Sequence, residues 1–162
     1  LWRASVNRLQ AEQIRDSMFA VTGELQQKLG GPSVSGKTPR RSLYVKAIRN
    51  TPDPFLAAFD MANGLKSVAE RNTTTTPTQS LLMINGDFVL ARAKKLAERL
   101  TKEKFDSTAR RLDYAIRLTW GREPTEQERA AALRFLGENP DTAKWADFCH
   151  VLLNSNEFLY VD

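Results

Sequence analysis

Cysteine and histidine are almost missing from this chain, since Cys149 and His150 are the only residues of their kinds among 162. A single thiol excludes an internal disulfide, and the sequence FCHVL lacks the second cysteine that haem attachment through CxxCH needs. A zinc site takes three or four cysteine, histidine or carboxylate ligands at short spacing, which one cysteine beside one histidine does not supply. We therefore expect no metal and no cofactor in this segment.

Long apolar runs are also missing. No stretch approaches the roughly 18 apolar residues that indicate a membrane helix, so we expect no membrane span. The chain opens LWRASVNRLQ, without an initiator methionine or a basic segment leading into an apolar one. We expect one domain, residues 1–162, which is the C-terminal fragment of a larger protein.

Acidic residues are scarce in the first half of the chain. Residues 1–81 contain 11 Lys or Arg against 6 Asp or Glu, whereas residues 82–162 contain 13 of each, so the net charge of +5 belongs to the first half. Such an excess indicates a polyanionic partner, such as nucleic acid, anionic lipid or sulfated glycan, or a solvated surface that faces an acidic segment elsewhere. The basic residues are dispersed and no nucleic-acid-binding motif is present, which argues against nucleic acid.

Regular helical periodicity dominates residues 85–162. The segment GDFVLARAKKLAERL carries apolar residues at helical spacing, and STARRLDYAIRLTWG repeats the pattern and ends on Gly121. PTEQERAAALRFLG begins with a capping box formed by Thr125 and Glu128. Asp141 is the expected N-cap of a last helix, TAKWADFCHVLLNSNEF. We predict four helices whose short connections favour antiparallel neighbours in a bundle.

Residues 1–84 form a basic half that is rich in loops. Apolar residues at helical spacing predict one helix from about residue 9 to residue 29, closed by Gly30 and Gly31. A loop rich in Gly, Pro and Ser follows, and the β-branched and aromatic content of SLYVKAI predicts a short extended or β segment near residues 42–49. The predicted fold class is mainly α, an irregular bundle of about six to seven helices with this one extended segment.

Two stretches of similar sequence, RNTPDPFLAAFD and RNTTTTPTQSLLMIN, each contain a helix-start signal. Asp53 before Pro54 is the favoured arrangement of an N-cap followed by proline at the first helical position. Thr76 and Gln79 have the spacing of a capping box, again with a proline, Pro77, at the first helical position. We therefore predict that helices begin at both prolines.

The residues in front of these two helix starts suggest an anion site. Helix N-termini carry unpaired N–H groups and a partial positive charge, and each start follows an arginine and short polar side chains. The candidate binding residues for a carboxylate, phosphate or sulfate are Arg49, Asn50, Arg71, Asn72, Thr74 and Thr75. The alternative is structural, with the arginines bridging carbonyls and the threonines satisfying buried backbone groups.

Carboxylates offer an enzymatic alternative. Glycoside hydrolysis uses two acids about 5 to 9 Å apart, and Asp60 lies seven residues after Asp53, although Asp53 is already explained as an N-cap. Asn156 and Glu157 are further candidates to line a cleft, or belong to an ordinary helix end. His150 falls on or beside the apolar face of the last helix, which favours a satisfied or surface histidine over a general base. No residue is assigned a catalytic role.

Four long motifs in collinear order carry a resemblance to a known family. They are RLQAEQIRDSM, RRSLYVKAIRNTPDPFLAAFD, RNTTTTPTQSLLMIN and WADFCHVLLNSNEFLYVD, and together they span nearly the whole chain. In these motifs the chain resembles the planctomycete PSD-one domain of unknown function. Where relatives often read Asp-Phe-Pro or Asp-Ala-Pro, this chain has DMANG, so no fixed turn is expected there.

The resemblance implies an exported protein in which this domain follows a second domain of unknown function, often with a c-type cytochrome domain further upstream. It implies an extracytoplasmic location, periplasmic or at the cell surface, and it brings no catalytic residues. The expected function is a non-catalytic binding or scaffold module whose partners are the upstream domains of the same chain and an anionic polysaccharide. The alternative is part of a hydrolase for complex polysaccharide, with an active site completed by an upstream region.

Overall fold

The computed structural model of this chain describes residues 6–48, 50–61 and 74–161. These residues form eight α-helical segments and one two-stranded antiparallel sheet, so the mainly α fold class is confirmed. The elements are β1 (Asn7–Arg8), α1 (Ala11–Val21), α2 (Pro54–Ala58), α3 (Pro77–Asn85), α4 (Asp87–Lys102), α5 (Thr108–Trp120), α6 (Glu126–Leu136), α7 (Thr142–Asn154), α8 (Asn156–Leu159) and β2 (Tyr160–Val161).

The core forms where α4 packs along α7, with α1, α3 and α5 against them. The predicted apolar stripes supply its side chains, which include Ile14, Met18, Val89, Ala93, Leu96, Leu100, Leu112, Ile116, Trp145, Cys149 and Leu152, all buried. Among the described residues, no helix combines the length and the apolar character that crossing a membrane requires.

The predicted helix starts are confirmed. The Asp53 carboxylate accepts hydrogen bonds from the backbone N–H groups of Phe55 and Leu56, each at 3.1 Å. Thr76 and Gln79 form both halves of a capping box at the start of α3. The same reciprocal pair of bonds starts α6. These signals act within three or four residues, and for that reason the sequence alone is enough to predict them.

The first helix is shorter than predicted, because α1 ends at Val21 instead of continuing to residue 29. Gly23 adopts a left-handed φ of 75°, and the N–H groups of Glu24 and Leu25 both turn back to the Phe19 carbonyl. A glycine in this conformation is a common helix stop. The apolar spacing that runs on to Leu25 therefore does not correspond to continued helix.

The extended segment predicted near residues 42–49 is corrected in detail. Ser42–Tyr44 is a single 3-10 turn, and extended backbone begins at Val45. Its partner is Val34 of the preceding loop, in a parallel bridge where the Val34 N–H donates to the Tyr44 carbonyl at 2.8 Å. The two-stranded sheet lies elsewhere, since β1 pairs with β2 and so brings the two ends of the described chain together.

The last helix is divided in two at Ser155. This residue has an extended backbone, and its hydroxyl donates to the Leu152 carbonyl at 2.7 Å while accepting from the Phe158 N–H at 3.3 Å. One serine thus ends α7 and starts α8, which raises the helix number above the predicted six to seven.

Candidate functional site

Two of the predicted anion-binding residues, Thr74 and Thr75, lie at the junction between the end of α2 and the start of α3. Asp60 follows α2 with a left-handed φ of 63°. Its carboxylate accepts hydrogen bonds from the N–H and the hydroxyl of Thr74, both at 2.8 Å. It also pairs with the Arg8 guanidinium at 2.9 Å. A carboxylate of the chain itself therefore occupies the position in front of α3.

Arg8 connects this junction to the terminal sheet. Its side chain extends from β1, is only 6% exposed, and donates to the Gln79 side-chain oxygen at 2.8 Å and to the Thr74 carbonyl. The Gln79 amide nitrogen in turn donates to the Ala58 carbonyl at 3.0 Å, which ties α3 to α2. Arg8 opens the motif RLQAEQIRDSM, but the sequence does not show its partners, because Asp60 and Gln79 lie 52 and 71 positions away.

The pKa of Asp60 is lowered from its ordinary value. Desolvation raises the pKa, but the hydrogen bonds from Thr74 and the charge and hydrogen bond of Arg8 together outweigh it. The carboxylate is therefore held in its ionised form, as an internal counter-ion.

The predicted anion-binding residues have different surroundings. Arg49, Arg71 and Asn72 lie outside the described residues, Asn50 and Thr75 are exposed, and Thr74 is bonded to Asp60. The start of α3 lies at the C-terminal end of α2. Asp53 caps the N-terminal end of α2, and the two ends of α2 are roughly 7 Å apart at 1.5 Å per residue. Asp53 therefore caps the start of α2 and Thr76 the start of α3, while Asp60 binds Thr74 two residues before that cap. The anion site stays a prediction.

The C-terminal candidates belong to a different cluster. Glu157 pairs with Arg122 at 2.6 Å, and Arg122 also binds Glu128 through two nitrogens at 2.7 and 2.9 Å. The hydrogen bonds from Arg122 lower the pKa of Glu128 to about 2. Asn156 is exposed at the first turn of α8. This cluster joins the start of α6 to α8, which is a structural task.

Three further observations bear on the chemistry. Asp60 is bound to Arg8, and Glu157 shares Arg122 with a second acid, Glu128, so both carboxylates are engaged in ion pairs. His150 places its Nε2 3.0 Å from the Met83 carbonyl, as a satisfied histidine does. In the described part of the chain, no three His, Cys, Asp or Glu side chains are grouped to hold a metal ion.

A third feature is the basic loop, which we define as residues 25–48. It contains no Asp or Glu and five Lys or Arg, so it carries much of the charge excess of the first half. Four of these cations are exposed, namely Lys28, Lys37, Arg41 and Lys46. The fifth, Arg40, is buried at 5% exposure.

The basic loop is fastened to α1 by Arg15, which is 1% exposed. Its Nη2 donates to the carbonyls of Gly36 and Thr38 at 2.8 and 2.7 Å, and its Nη1 donates to the Arg40 carbonyl at 2.8 Å. Burial lowers the pKa of Arg15 from its ordinary value, although the adjacent Asp16 opposes the shift. This anchor was not among the predicted site residues, and its sequence signal is a charged residue on the buried face of α1.

Arg40, which belongs to the loop itself, binds carbonyl groups of other loop residues. Its guanidinium donates to the carbonyls of Pro32 and Lys28 at 3.1 and 3.2 Å and to that of Gly30, and it stacks 4.0 Å from the Tyr44 ring centre. The Tyr44 hydroxyl accepts from the Gly30 N–H at 2.9 Å. The two buried arginines therefore hold six loop carbonyls and give a long loop a defined shape.

The fold and these clusters define a mainly helical domain closed by a sheet between its ends, with a loop anchored by internal arginines. The family model PSD1, described as a protein of unknown function (DUF1553), matches residues 1–136, and this chain belongs to that family. The matched range ends with α6, and α7, α8 and β2 follow it. Neither the curated proteins nor the solved structures gave a match.

Proposed function

We propose that this domain is a non-catalytic binding module, which uses the basic loop to hold a partner that carries sulfate, phosphate or carboxylate groups. In the setting that the family resemblance suggests, the module belongs to an exported, cytochrome-associated protein and contacts an anionic polysaccharide beside the upstream domains of its own chain. The observation that carries the proposal is an acid-free loop with four exposed cations, held in shape by two buried arginines.

The fixed shape of the loop supports binding over simple solvation. A binding surface that is ordered beforehand loses less conformational entropy when a partner arrives. Because no acidic residue lies within the loop, its cations are not neutralised by their sequence neighbours. The loop therefore presents an excess of positive charge to an anionic partner, although the Asp16 carboxylate accepts hydrogen bonds from Ser42 of the loop. Such an excess raises the rate of encounter at low salt.

The test is binding to dextran sulfate, with neutral dextran as the control polymer. We expect the protein to bind dextran sulfate at low salt and to lose affinity as salt rises, because the Debye length is only about 8 Å at physiological ionic strength. The double variant Lys37→Glu/Lys46→Glu is expected to bind much more weakly. The matched variant Lys94→Glu/Lys104→Glu changes the charge equally on two exposed lysines outside the loop.

Equal losses in both double variants would show that only the overall charge matters and would refute the loop as the binding face. The predicted site at the α3 start gives a second arm of the same assay. If Arg71→Ala weakens binding by about 1 to 3 kcal/mol while the loop variant binds normally, the anion is held in front of α3.

A further inference from the structure

The basic loop also carries the two most exposed large apolar side chains of the described residues. Leu29 is 79% exposed and Leu43 is 77% exposed. Gly30, which follows Leu29, donates its N–H at 2.9 Å to the hydroxyl of Tyr44, which follows Leu43, so each leucine precedes one partner of the same contact. Exposed cations lie within three residues of each leucine in the sequence, Lys28 beside Leu29 and Arg41 and Lys46 on either side of Leu43.

This combination distinguishes between anionic partners. A charged polysaccharide offers anionic groups but no apolar phase into which a leucine side chain can transfer. The interface of an anionic bilayer offers both, since headgroup charges attract Lys and Arg while apolar side chains enter the acyl boundary. The leucines thus favour a lipid surface over a hydrated sugar polymer.

The backbone of the loop is suited to the same environment. Carbonyl groups that lose water at a membrane interface must find another donor, or binding is opposed. Six carbonyls of this loop already accept hydrogen bonds from the buried guanidinium groups, those of Lys28, Gly30, Pro32, Gly36, Thr38 and Arg40. Approach to lipid therefore removes little hydration from these groups.

We propose that the basic loop docks this domain on the surface of an anionic lipid bilayer. Leu29 and Leu43 enter the interface, and Lys28, Lys37, Arg41 and Lys46 lie against the lipid headgroups. This inference rests on the proposed function, because it names the partner of the same loop.

The experiment is sedimentation with vesicles of phosphatidylcholine, with and without phosphatidylglycerol. We expect binding only to the vesicles that contain phosphatidylglycerol. Replacing two exposed leucines by serine, in Leu29→Ser/Leu43→Ser, is expected to weaken vesicle binding by about tenfold or more, with dextran sulfate binding unchanged. The control is Leu81→Ser/Ile84→Ser, which alters two side chains of α3 that are 60% and 54% exposed, and it should bind vesicles normally.

The outcomes separate the two proposals. Binding to dextran sulfate without binding to anionic vesicles overturns the lipid surface and leaves the proposed function intact. Failure to bind either one overturns both. Vesicle binding that is lost in Lys37→Glu/Lys46→Glu but kept in the leucine variant shows a purely electrostatic contact and overturns the insertion of leucines. Comparable binding to soluble polyglutamate, unaffected by the leucine variant, points to an acidic protein and overturns the lipid surface as well.

Discussion

Asp60 combines a left-handed backbone with a carboxylate that is bound on two sides. A residue other than glycine in this conformation is disfavoured by roughly 1 to 2 kcal/mol, and aspartate is among the few that tolerate it. The bonds from Thr74 and Arg8 offset this strain, because they use the direction in which the turned backbone projects the carboxylate. A position where glycine is usual thus holds an acid that joins α2, α3 and β1.

We predict that Asp60→Asn lowers the free energy of unfolding by about 1 to 3 kcal/mol near neutral pH, because the Arg8 guanidinium loses its charged partner. Asp60→Gly relieves the backbone but also removes the acceptor, so it should be destabilising too. Since folding lowers the pKa of Asp60, its contribution is fully present above the unfolded pKa of 3.8 and is lost as pH falls through the folded pKa.

Urea unfolding of both variants, at neutral pH and below about pH 3, measures this effect. The difference between the parent chain and Asp60→Asn should shrink in acid. A difference of the same size at both pH values would contradict an ionised, paired Asp60.

At the scale of elements, α1 has two roles. Its buried face contributes Ile14 and Met18 to the core. Arg15 is buried as well, and its guanidinium donates hydrogen bonds to carbonyls of the basic loop. The planar guanidinium suits this role, since its five donors lie in a fixed fork that reaches several carbonyls at once. A short helix therefore organises a loop that has little secondary structure of its own.

We predict that Arg15→Lys lowers the free energy of unfolding by about 2 to 4 kcal/mol, because an ammonium group cannot satisfy the carbonyls of Gly36, Thr38 and Arg40 together. Proteolytic cleavage within the basic loop should also become faster. The increase should be at least as large as the increase in the equilibrium constant for global unfolding. The control is Arg41→Lys, an exposed arginine in the same loop, which should behave like the parent chain. Equal protection of the loop in both variants would refute Arg15 as its anchor.

At the scale of the whole molecule, three sets of contacts connect the described elements. The contact of α4 with α7 forms the centre, the β1–β2 pairing joins the ends, and Arg8 links that sheet to the α2–α3 junction. Such shared contacts between both halves of the sequence favour a single cooperative unfolding transition.

We predict that Leu96→Ala lowers the free energy of unfolding by about 2 to 5 kcal/mol, because Leu96 is fully buried between helices of the core. The exposed Leu81→Ala should change it by less than about 0.5 kcal/mol. Urea unfolding followed by tryptophan fluorescence and by circular dichroism checks the value and the cooperativity together. Two separate transitions would show that residues 1–84 and 85–162 unfold independently.

Local chemistry accounts for what the sequence determined. The helix starts at Pro54, Pro77 and Glu126 and the buried stripes of α4 and α5 depend on residues three or four positions apart. Such patterns are visible in the chain itself. Gly23 is a local helix stop as well, but the apolar spacing continues past it to Leu25 and so predicts a longer helix. The family followed from four motifs, and the model match bears it out.

Only the tertiary structure decided which charges meet. Asp60 was a candidate for a cleft and Thr74 for an anion site, and the fold joins the two through Arg8, 52 positions before Asp60. The pairing of the chain's ends and the fastening of the basic loop by Arg15 and Arg40 likewise depend on long-range contacts. A charged side chain accepts any partner of suitable geometry, and that geometry exists only once the helices have packed.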